Sequence, residues 1–215
     1  VGLLQMRSQS VDGVAPRNDY SVVRVNRELR NRSSLGAIFV NRQGNGDGLV
    51  DKDDDYNRTY AIDGRLGVRE NGQISGFLAK TDTPGRTGKD HALSLRAARD
   101  SQAWTTVAQY SEVGADFNPE VGFLARRNYR NAEVFALNRY RPDDLYGLLE
   151  LRPHVFSSHF WRLDGSYESG FTHIDNHFEW KSGLEIHTGV NFTHEQVFTP
   201  FEIADGIFVQ PGNYN

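Results

Sequence analysis

The segment from Gln43 to Asp54 has the spacing of oxygen-bearing residues that most resembles a metal site in this chain. Calcium binds about six to eight oxygen ligands, and EF-hand loops supply them from alternate residues around a glycine at a sharp turn. Gly48 occupies the glycine position. The residues at the ligand positions are Asn45, Asp47, Leu49 (through its carbonyl), Asp51 and Asp54.

Two departures from the calcium pattern keep a second interpretation open. Gln43 stands where the first carboxylate is expected, and Asp54 stands where EF-hands have a bidentate glutamate. No helix is predicted on either side. The segment 43–57 is therefore either a calcium loop or an acidic, solvated loop between two strands.

The histidines near the end of the chain suggest a second metal site, but their spacing argues against it. On an extended strand, His173 and His177 are about 13 Å apart along the axis, too far to share an ion directly. No histidine–carboxylate spacing matches a catalytic zinc motif. We therefore expect His173, His177, His187 and His194 to be polar side chains facing an interior.

Asp116 and Glu120 are the carboxylates whose spacing most suggests the acid–base pair of a glycoside hydrolase. They flank Asn118-Pro119, and the residue before a proline is disfavoured in a helix. A turn is the favoured interpretation. The chain also lacks a nucleophile elbow, a phosphate-binding glycine loop and a dinucleotide fingerprint. We predict no catalytic residues and no enzyme activity.

Composition excludes several classes of protein. The 215 residues carry a net charge of -4 and no basic block, which argues against nucleic-acid binding. The absence of cysteine excludes disulfide frameworks and thiol chemistry. No apolar run approaches the roughly 18 residues of a membrane-spanning helix, although a barrel strand needs only about 10 residues, half of them facing lipid. Val1 opens in mid-pattern without a signal peptide, so we expect part of a longer protein.

The elements that carry these residues are predicted to be β-strands, because the dominant period of the sequence is two. In Thr59–Arg69, the side chains of Tyr60, Ile62, Leu66 and Val68 alternate with Thr59, Asp63, Arg65 and Arg69. Asn71-Gly72 then predicts a hairpin turn. Other predicted strands are Tyr20–Leu29, Leu35–Arg42, Ile74–Thr81, His91–Arg99, Ala103–Ser111, Ala132–Arg141, Leu145–Arg152, Ser166–Ile174, Asn176–Lys181 and Gly183–Thr193.

Two all-β architectures fit this pattern. A soluble β-sandwich also alternates apolar and polar residues. Long strands, short turns alternating with long loops, and aromatic residues near strand ends favour an antiparallel up-and-down transmembrane β-barrel. At roughly 15 residues per strand and connection, the chain holds about 12–14 strands. Residues 1–215 form a single domain in this prediction, and the barrel is incomplete because neither end has a closing strand.

Several motifs, in this order, resemble a known family. They are Tyr20–Glu28, Arg32–Arg42, Gly114–Phe123 (Gly-Ala-Asp-Phe-Asn-Pro-Glu-Val-Gly-Phe) and Pro200–Tyr214. The family is the C-terminal, outer-membrane-barrel-like domain of unknown function in bacterial proteins that begin with a family-nine carbohydrate-binding module. The resemblance implies an envelope protein associated with carbohydrate use. It implies no catalytic residues, and the carbohydrate module itself is not within these residues.

The sequence thus predicts a bacterial outer-membrane β-barrel linked to carbohydrate binding or uptake. Its expected partners are outer-membrane lipid, carbohydrate and unidentified envelope proteins, with calcium as the candidate cofactor. A soluble β-sandwich that binds carbohydrate or accompanies a glycoside hydrolase is the alternative. In a barrel, the residues predicted to line the polar interior are Asp63, Arg65, Arg96, Glu185 and His187.

Overall fold

The computed structural model of the protein describes residues 1–11, 13–14, 16–45, 51–143 and 145–215. These described residues form fourteen β-strands and no helix. The strands are β1 Gly2–Arg7, β2 Asn18–Leu29, β3 Ser33–Gly44, β4 Tyr56–Val68, β5 Gly72–Asp82, β6 His91–Asp100, β7 Trp104–Val113, β8 Tyr129–Asn138, β9 Leu148–Arg162, β10 Tyr167–Trp180, β11 Glu185–Val197, β12 Phe201–Ala204, β13 Ile207–Val209 and β14 Gly212–Tyr214. The described part of the chain contains no helix long and apolar enough to cross a membrane.

The strands follow one another in space in the order in which they occur in the chain. Twelve of them form one sheet in the order β1 to β11 followed by β14, while β12 and β13 pair separately. Within this described sheet β1 has only β2 as a neighbour and β14 only β11. The predicted all-β, antiparallel, up-and-down architecture is confirmed, together with its number of strands. Closure into a transmembrane barrel is not seen in the described sheet.

Strands β9 and β10 are longer than the sequence predicts. The sequence predicts a strand that ends at Arg152. Instead β9 continues to Arg162, with Pro153 paired opposite Asn176. Likewise the two strands predicted on either side of Asp175 form the single strand β10. Asp175 consequently lies inside a strand and not in a turn.

Contacts divide the chain into two compact units. Unit 1 comprises Val1–Arg69, Ile74–Leu95 and Ser111–Tyr129. Unit 2 comprises Glu70–Gln73, Arg96–Tyr110 and Arg130–Asn215. Each unit has its own arrangement of polar side chains.

Unit 1 has a small apolar core beneath the connection that follows β7. The buried side chains of this core are Ala79, Ala92, Val113 and Phe117. The connection, residues 114–128, is held to the strands by backbone hydrogen bonds from Gly114 N to His91 O and from Asp116 N to Lys89 O, each 2.8 Å. Asn118 N adds a hydrogen bond of 3.0 Å to Thr81 Oγ1. Residues 114–128 therefore cover one face of unit 1.

Unit 2 is built around the long strands β9, β10 and β11. Asp175 of β10 pairs with His154 of β9 on one side and with Gly189 of β11 on the other. Since side chains alternate between the faces of a sheet, this register places alternate residues of all three strands on a common face. We call the face that carries Asp175 the histidine face.

Candidate functional site

The histidine face gathers ionisable side chains from three neighbouring strands. All histidines except His91 belong to β9, β10 or β11. On this face β9 contributes Arg152 and His154, β10 contributes His173, Asp175, His177 and Glu179, and β11 contributes Glu185 and His187. Their clustering follows from the register, because residues distant in sequence become direct cross-strand neighbours.

Asp175 is the centre of this cluster. Its Oδ2 lies 3.0 Å from His177 Nε2, 3.7 Å from His173 Nε2 and 4.0 Å from His154 Nε2. The side chains of Asp175 and His154 are only 10% and 12% exposed. One carboxylate therefore faces three imidazole rings in a largely buried position.

The rings of the cluster are packed against one another. The ring centroids of His177 and His187 are 3.8 Å apart and nearly parallel. The ring of His154 lies 5.2 Å from that of His177 and 5.3 Å from that of His173. Packing of this kind restricts side-chain rotation, so the nitrogens keep their directions toward Asp175.

The charged residues beside the cluster form ion pairs with one another. Arg152 lies 3.4 Å from Glu179, 3.4 Å from Glu185 and 3.6 Å from Glu150. Glu150 also pairs with Arg141 at 2.6 Å. The carboxylates around Arg152 are thus engaged with arginine, in contrast to Asp175, whose neighbours are histidines.

An aromatic cleft adjoins the cluster on the histidine face. Its volume is about 500 Å³, and its lining residues are Phe135, His154, Phe156, Phe171, His173 and Asn191. The ring centroids of Phe156 and Phe171 are 6.1 Å apart. The cleft is shallow and open to solvent, and its lining combines apolar walls with a few polar groups.

His154 and Asp175 are not among the site residues predicted from the sequence. The prediction rests on the spacing of histidines along one strand, where His173 and His177 are far apart. The structure brings His177 close to His154 through the pairing of β9 and β10, and His154 lies beyond Arg152, where the predicted strand ends. The detectable signal is the short, alternating His-x-Asp-x-His of residues 173–177, which places three ligand-type side chains on one face.

The residues predicted to line a polar interior are distributed over both units. In unit 2, His187 stacks on His177, and Glu185 contacts Arg152. In unit 1, Asp63 of β4 forms a two-point ion pair with Arg24 of β2, with 2.8 Å between Arg24 Nη2 and Asp63 Oδ2. This pair passes over Gly36 of β3, where a Cβ would meet the guanidinium group.

The other two residues predicted to line a polar interior are Arg65 and Arg96. Arg65 Nη2 lies 3.7 Å from Glu28 Oε2, and Arg96 is half-buried within β6. Asp63 and Arg65 share a face of β4, opposite the face of Ile62. Their facing toward a barrel interior stays a prediction.

The candidate calcium ligands are only partly described. Asp47 and Leu49 lie outside the described residues. Asn45 follows the end of β3, and its Oδ1 accepts a hydrogen bond from Arg17 at 3.4 Å. Asp51 Oδ1 accepts one from Asp53 N at 3.1 Å, and Asp54 N donates to Asp51 O. The connection itself is shorter than expected, since β3 extends to Gly44 and β4 begins at Tyr56.

Asp116 and Glu120 have structural partners. Asp116 Oδ2 accepts a hydrogen bond from Lys89 N at 3.3 Å. Glu120 pairs with Arg42 at 2.6 Å. Gly122 N donates to Pro119 O, which closes the turn expected at this point.

Comparison with known proteins identifies no relative. The chain matches no protein-family model, no curated protein and no solved structure.

Proposed function

We propose that the chain is part of the wall of a bacterial outer-membrane β-barrel that serves carbohydrate binding or uptake at the cell envelope. One observation carries the proposal: in each unit, long antiparallel strands present an exposed apolar face. Strands β2 to β11 are 10 to 15 residues long, well beyond the roughly five or six of an average strand.

The apolar face is visible in the register of both units. In unit 1, Val23 pairs with Phe39, which pairs with Tyr60. In unit 2, Ile174 pairs with Val190, and Phe178 with Ile186. Exposed apolar side chains of this kind include Val25, Leu35, Ile62, Ile174, Val190 and Phe192. Rows of apolar side chains across paired strands are what a lipid-facing surface requires.

The length and aromatic ends of β10 fit the thickness of a membrane. From Tyr167 to Trp180 an extended strand spans about 43 Å, or about 33 Å at a barrel tilt of roughly 40°. The hydrocarbon core of a bilayer is about 30 Å thick. Trp161 lies beside Tyr167 at one end of β10, with 5.7 Å between ring centroids, and Trp180 ends the strand. Tyr60 is an exception to the expected placement of aromatic residues near strand ends, because it lies well inside β4.

The soluble β-sandwich alternative requires a second layer over the apolar face. A sandwich buries the inner faces of two sheets about 10 Å apart. In the described residues the apolar face of β2, β3 and β4 remains exposed, and the only other sheet is the short pair β12–β13. This observation favours lipid over a second sheet.

The carbohydrate part of the proposal has two supports. One is the resemblance of the motifs Tyr20–Glu28 and Gly114–Phe123 to a domain found with carbohydrate-binding modules. The other is the cleft lined by Phe135, Phe156 and Phe171, in which aromatic faces stand beside the polar side chains of His173 and Asn191. A sugar offers both apolar and hydroxyl-bearing surfaces to such a lining.

A matched pair of substitutions on β2 tests the membrane assignment. Val25 is 47% exposed on the apolar face, and the neighbouring Asn26 is exposed on the opposite face. If lipid covers the apolar face, Val25→Arg lowers the free energy of unfolding from vesicles by about 2–4 kcal/mol, whereas Asn26→Arg changes it little. The measurement is urea unfolding of vesicle-inserted protein, with recovery in the outer-membrane fraction of cells as the first check.

Equal and small effects of both substitutions would contradict the membrane assignment. So would full solubility of the wild-type protein without detergent, which would favour the soluble sandwich.

A further inference from the structure

His154, Asp175 and His177 bring three ligand groups within reach of one ion. One ligand atom from each of these side chains lies within 4.8 Å of the others. We propose that the three side chains bind a divalent transition-metal ion, with Zn²⁺ as the probe, on the histidine face of β9 and β10. This site is separate from the acidic loop, and it does not depend on whether the sheet spans a membrane.

Asp175 carries an oxygen that protein groups leave unsatisfied. Its Oδ1 is buried and has no hydrogen-bond partner among the described residues. Burial of an anionic oxygen is unfavourable unless the group is paired, hydrogen-bonded or bound to a metal. A cation held by both carboxylate oxygens of Asp175 would provide Oδ1 with the missing partner.

The hydrogen bond made by His154 determines which of its ring nitrogens is available to a metal. Nδ1 lies 3.1 Å from the carbonyl oxygen of Arg152. A carbonyl oxygen only accepts, so Nδ1 carries the hydrogen, and the neutral ring presents the lone pair of Nε2 toward Asp175 Oδ2. Metal-binding histidines characteristically donate their second N–H to a backbone carbonyl or a carboxylate in this way. His154 is therefore held in the tautomer that a metal requires.

The ligand spacing is close to that of a bound ion. Zinc lies about 2.0–2.2 Å from nitrogen and oxygen ligands, which places the ligands of a tetrahedral site about 3.3 Å apart. His177 Nε2 and Asp175 Oδ2 are already 3.0 Å apart. The 4.0 Å between His154 Nε2 and Asp175 Oδ2 closes with a movement of less than about 1 Å. On metal binding, His177 Nε2 gives up its hydrogen to solvent and the ring carries its remaining hydrogen on Nδ1, so that the Nε2 lone pair replaces the hydrogen bond to Asp175 by a bond to the ion.

The ligand types select the class of metal. Two imidazoles and one carboxylate suit Zn²⁺ and its first-row neighbours, whereas calcium prefers oxygen ligands throughout. Three protein ligands leave at least one coordination position for water or another molecule. Gly189, opposite Asp175, adds no side chain at this point, where a Cβ would lie 3.4 Å from Asp175 Cγ and from His173 Cε1.

Zinc binding by the purified, EDTA-treated protein in detergent tests the proposal. The wild type is expected to bind one Zn²⁺ per chain in competition with a chromophoric chelator. Asp175→Asn and His154→Gln preserve side-chain size and should each weaken zinc binding about tenfold or more. His194→Ala is the matched control, because it removes a histidine of β11 outside the cluster and should leave zinc affinity unchanged.

A second measurement covers the case in which a variant folds poorly. Zinc should raise the denaturation midpoint of the wild type, since a ligand that binds only the folded state stabilises it. The shift should be lost in His177→Gln and kept in His194→Ala. No binding by the wild type at roughly 0.1 mM free zinc, or equal zinc binding by wild type, Asp175→Asn and His154→Gln, would overturn the proposal.

Discussion

Asn57 is one of the two most deeply buried side chains described, although it is polar. It is 1% exposed. Its Nδ2 donates to Asn118 O and to Thr83 Oγ1 at 2.7 Å each, and its Oδ1 accepts from Glu120 N at 3.3 Å. One amide side chain therefore fastens the turn at Asn118–Glu120 to the start of β4. A buried polar group is tolerable when its hydrogen bonds are made, and here both ends of the amide are used.

We expect Asn57→Ala to lower the free energy of unfolding by about 2–3 kcal/mol, because it leaves Asn118 O and Glu120 N buried without their partner. Asn26→Ala, at an exposed asparagine of β2, should change it by less than about 0.5 kcal/mol. Denaturant titration of both variants provides the comparison. Equal values would mean that Asn57 does not hold the turn.

Two features at the residue scale could not be predicted from the sequence. The buried position of Asn57 could not be predicted, because the sequence placed it at the end of an acidic loop. The proximity of His154 and Asp175 could not be predicted either, because it depends on the β9–β10 register. A shift of that register by one residue would put His154 on the other face from Asp175.

At the scale of elements, residues 114–128 form an irregular segment that covers one face of unit 1. The alternation of apolar and polar residues predicts strands but does not predict this segment. Turn residues were expected at Asn118-Pro119, but not the burial of the preceding phenylalanine. Phe117 packs with Ala79, Ala92 and Val113, at only 6% exposure. Small alanines on the strands leave the space that the ring occupies.

Truncation of the two phenylalanines in residues 114–128 should change the free energy of unfolding by very different amounts. Phe117→Ala removes the largest side chain of the core in unit 1 and should cost about 3–5 kcal/mol of unfolding free energy. Phe123 is 94% exposed, so Phe123→Ala should fall within about 0.5 kcal/mol of the wild type. Urea titration monitors both. A small effect at Phe117 would show that residues 114–128 are not anchored by this ring.

The acidic connection between β3 and β4 permits a separate test of the calcium proposal. Titration calorimetry should detect binding in the range of about 10⁻⁴–10⁻³ M, as for weak extracellular sites. Asp51→Asn should abolish the heat, because Asp51 occupies a ligand position. Asp53→Asn, which lies off the ligand spacing, should keep it. Absence of heat in the wild type at millimolar calcium would exclude calcium here.

At the scale of the whole molecule, the type of fold could be predicted from the alternation of apolar and polar residues. Each strand carries its own period-two signal, so the number of strands and their antiparallel succession follow from local sequence. Strand ends were less accurate. The hairpin after β4 was expected to turn at Asn71-Gly72, but the positive φ of 52° occurs at Arg69 and β5 begins at Gly72. Turn geometry depends on how the two strands pair, which local sequence determines only partly.

The order of the strands in the sheet also affects how the chain folds. From β1 to β11 every strand pairs with the strand that precedes it. Each pairing therefore closes only the connection between two consecutive strands, the longest being residues 114–128, and closing such local loops costs less entropy than pairing segments that are distant in sequence. The ladder can extend one hairpin at a time without waiting for distant segments. The order of synthesis and the order of strand pairing can then coincide.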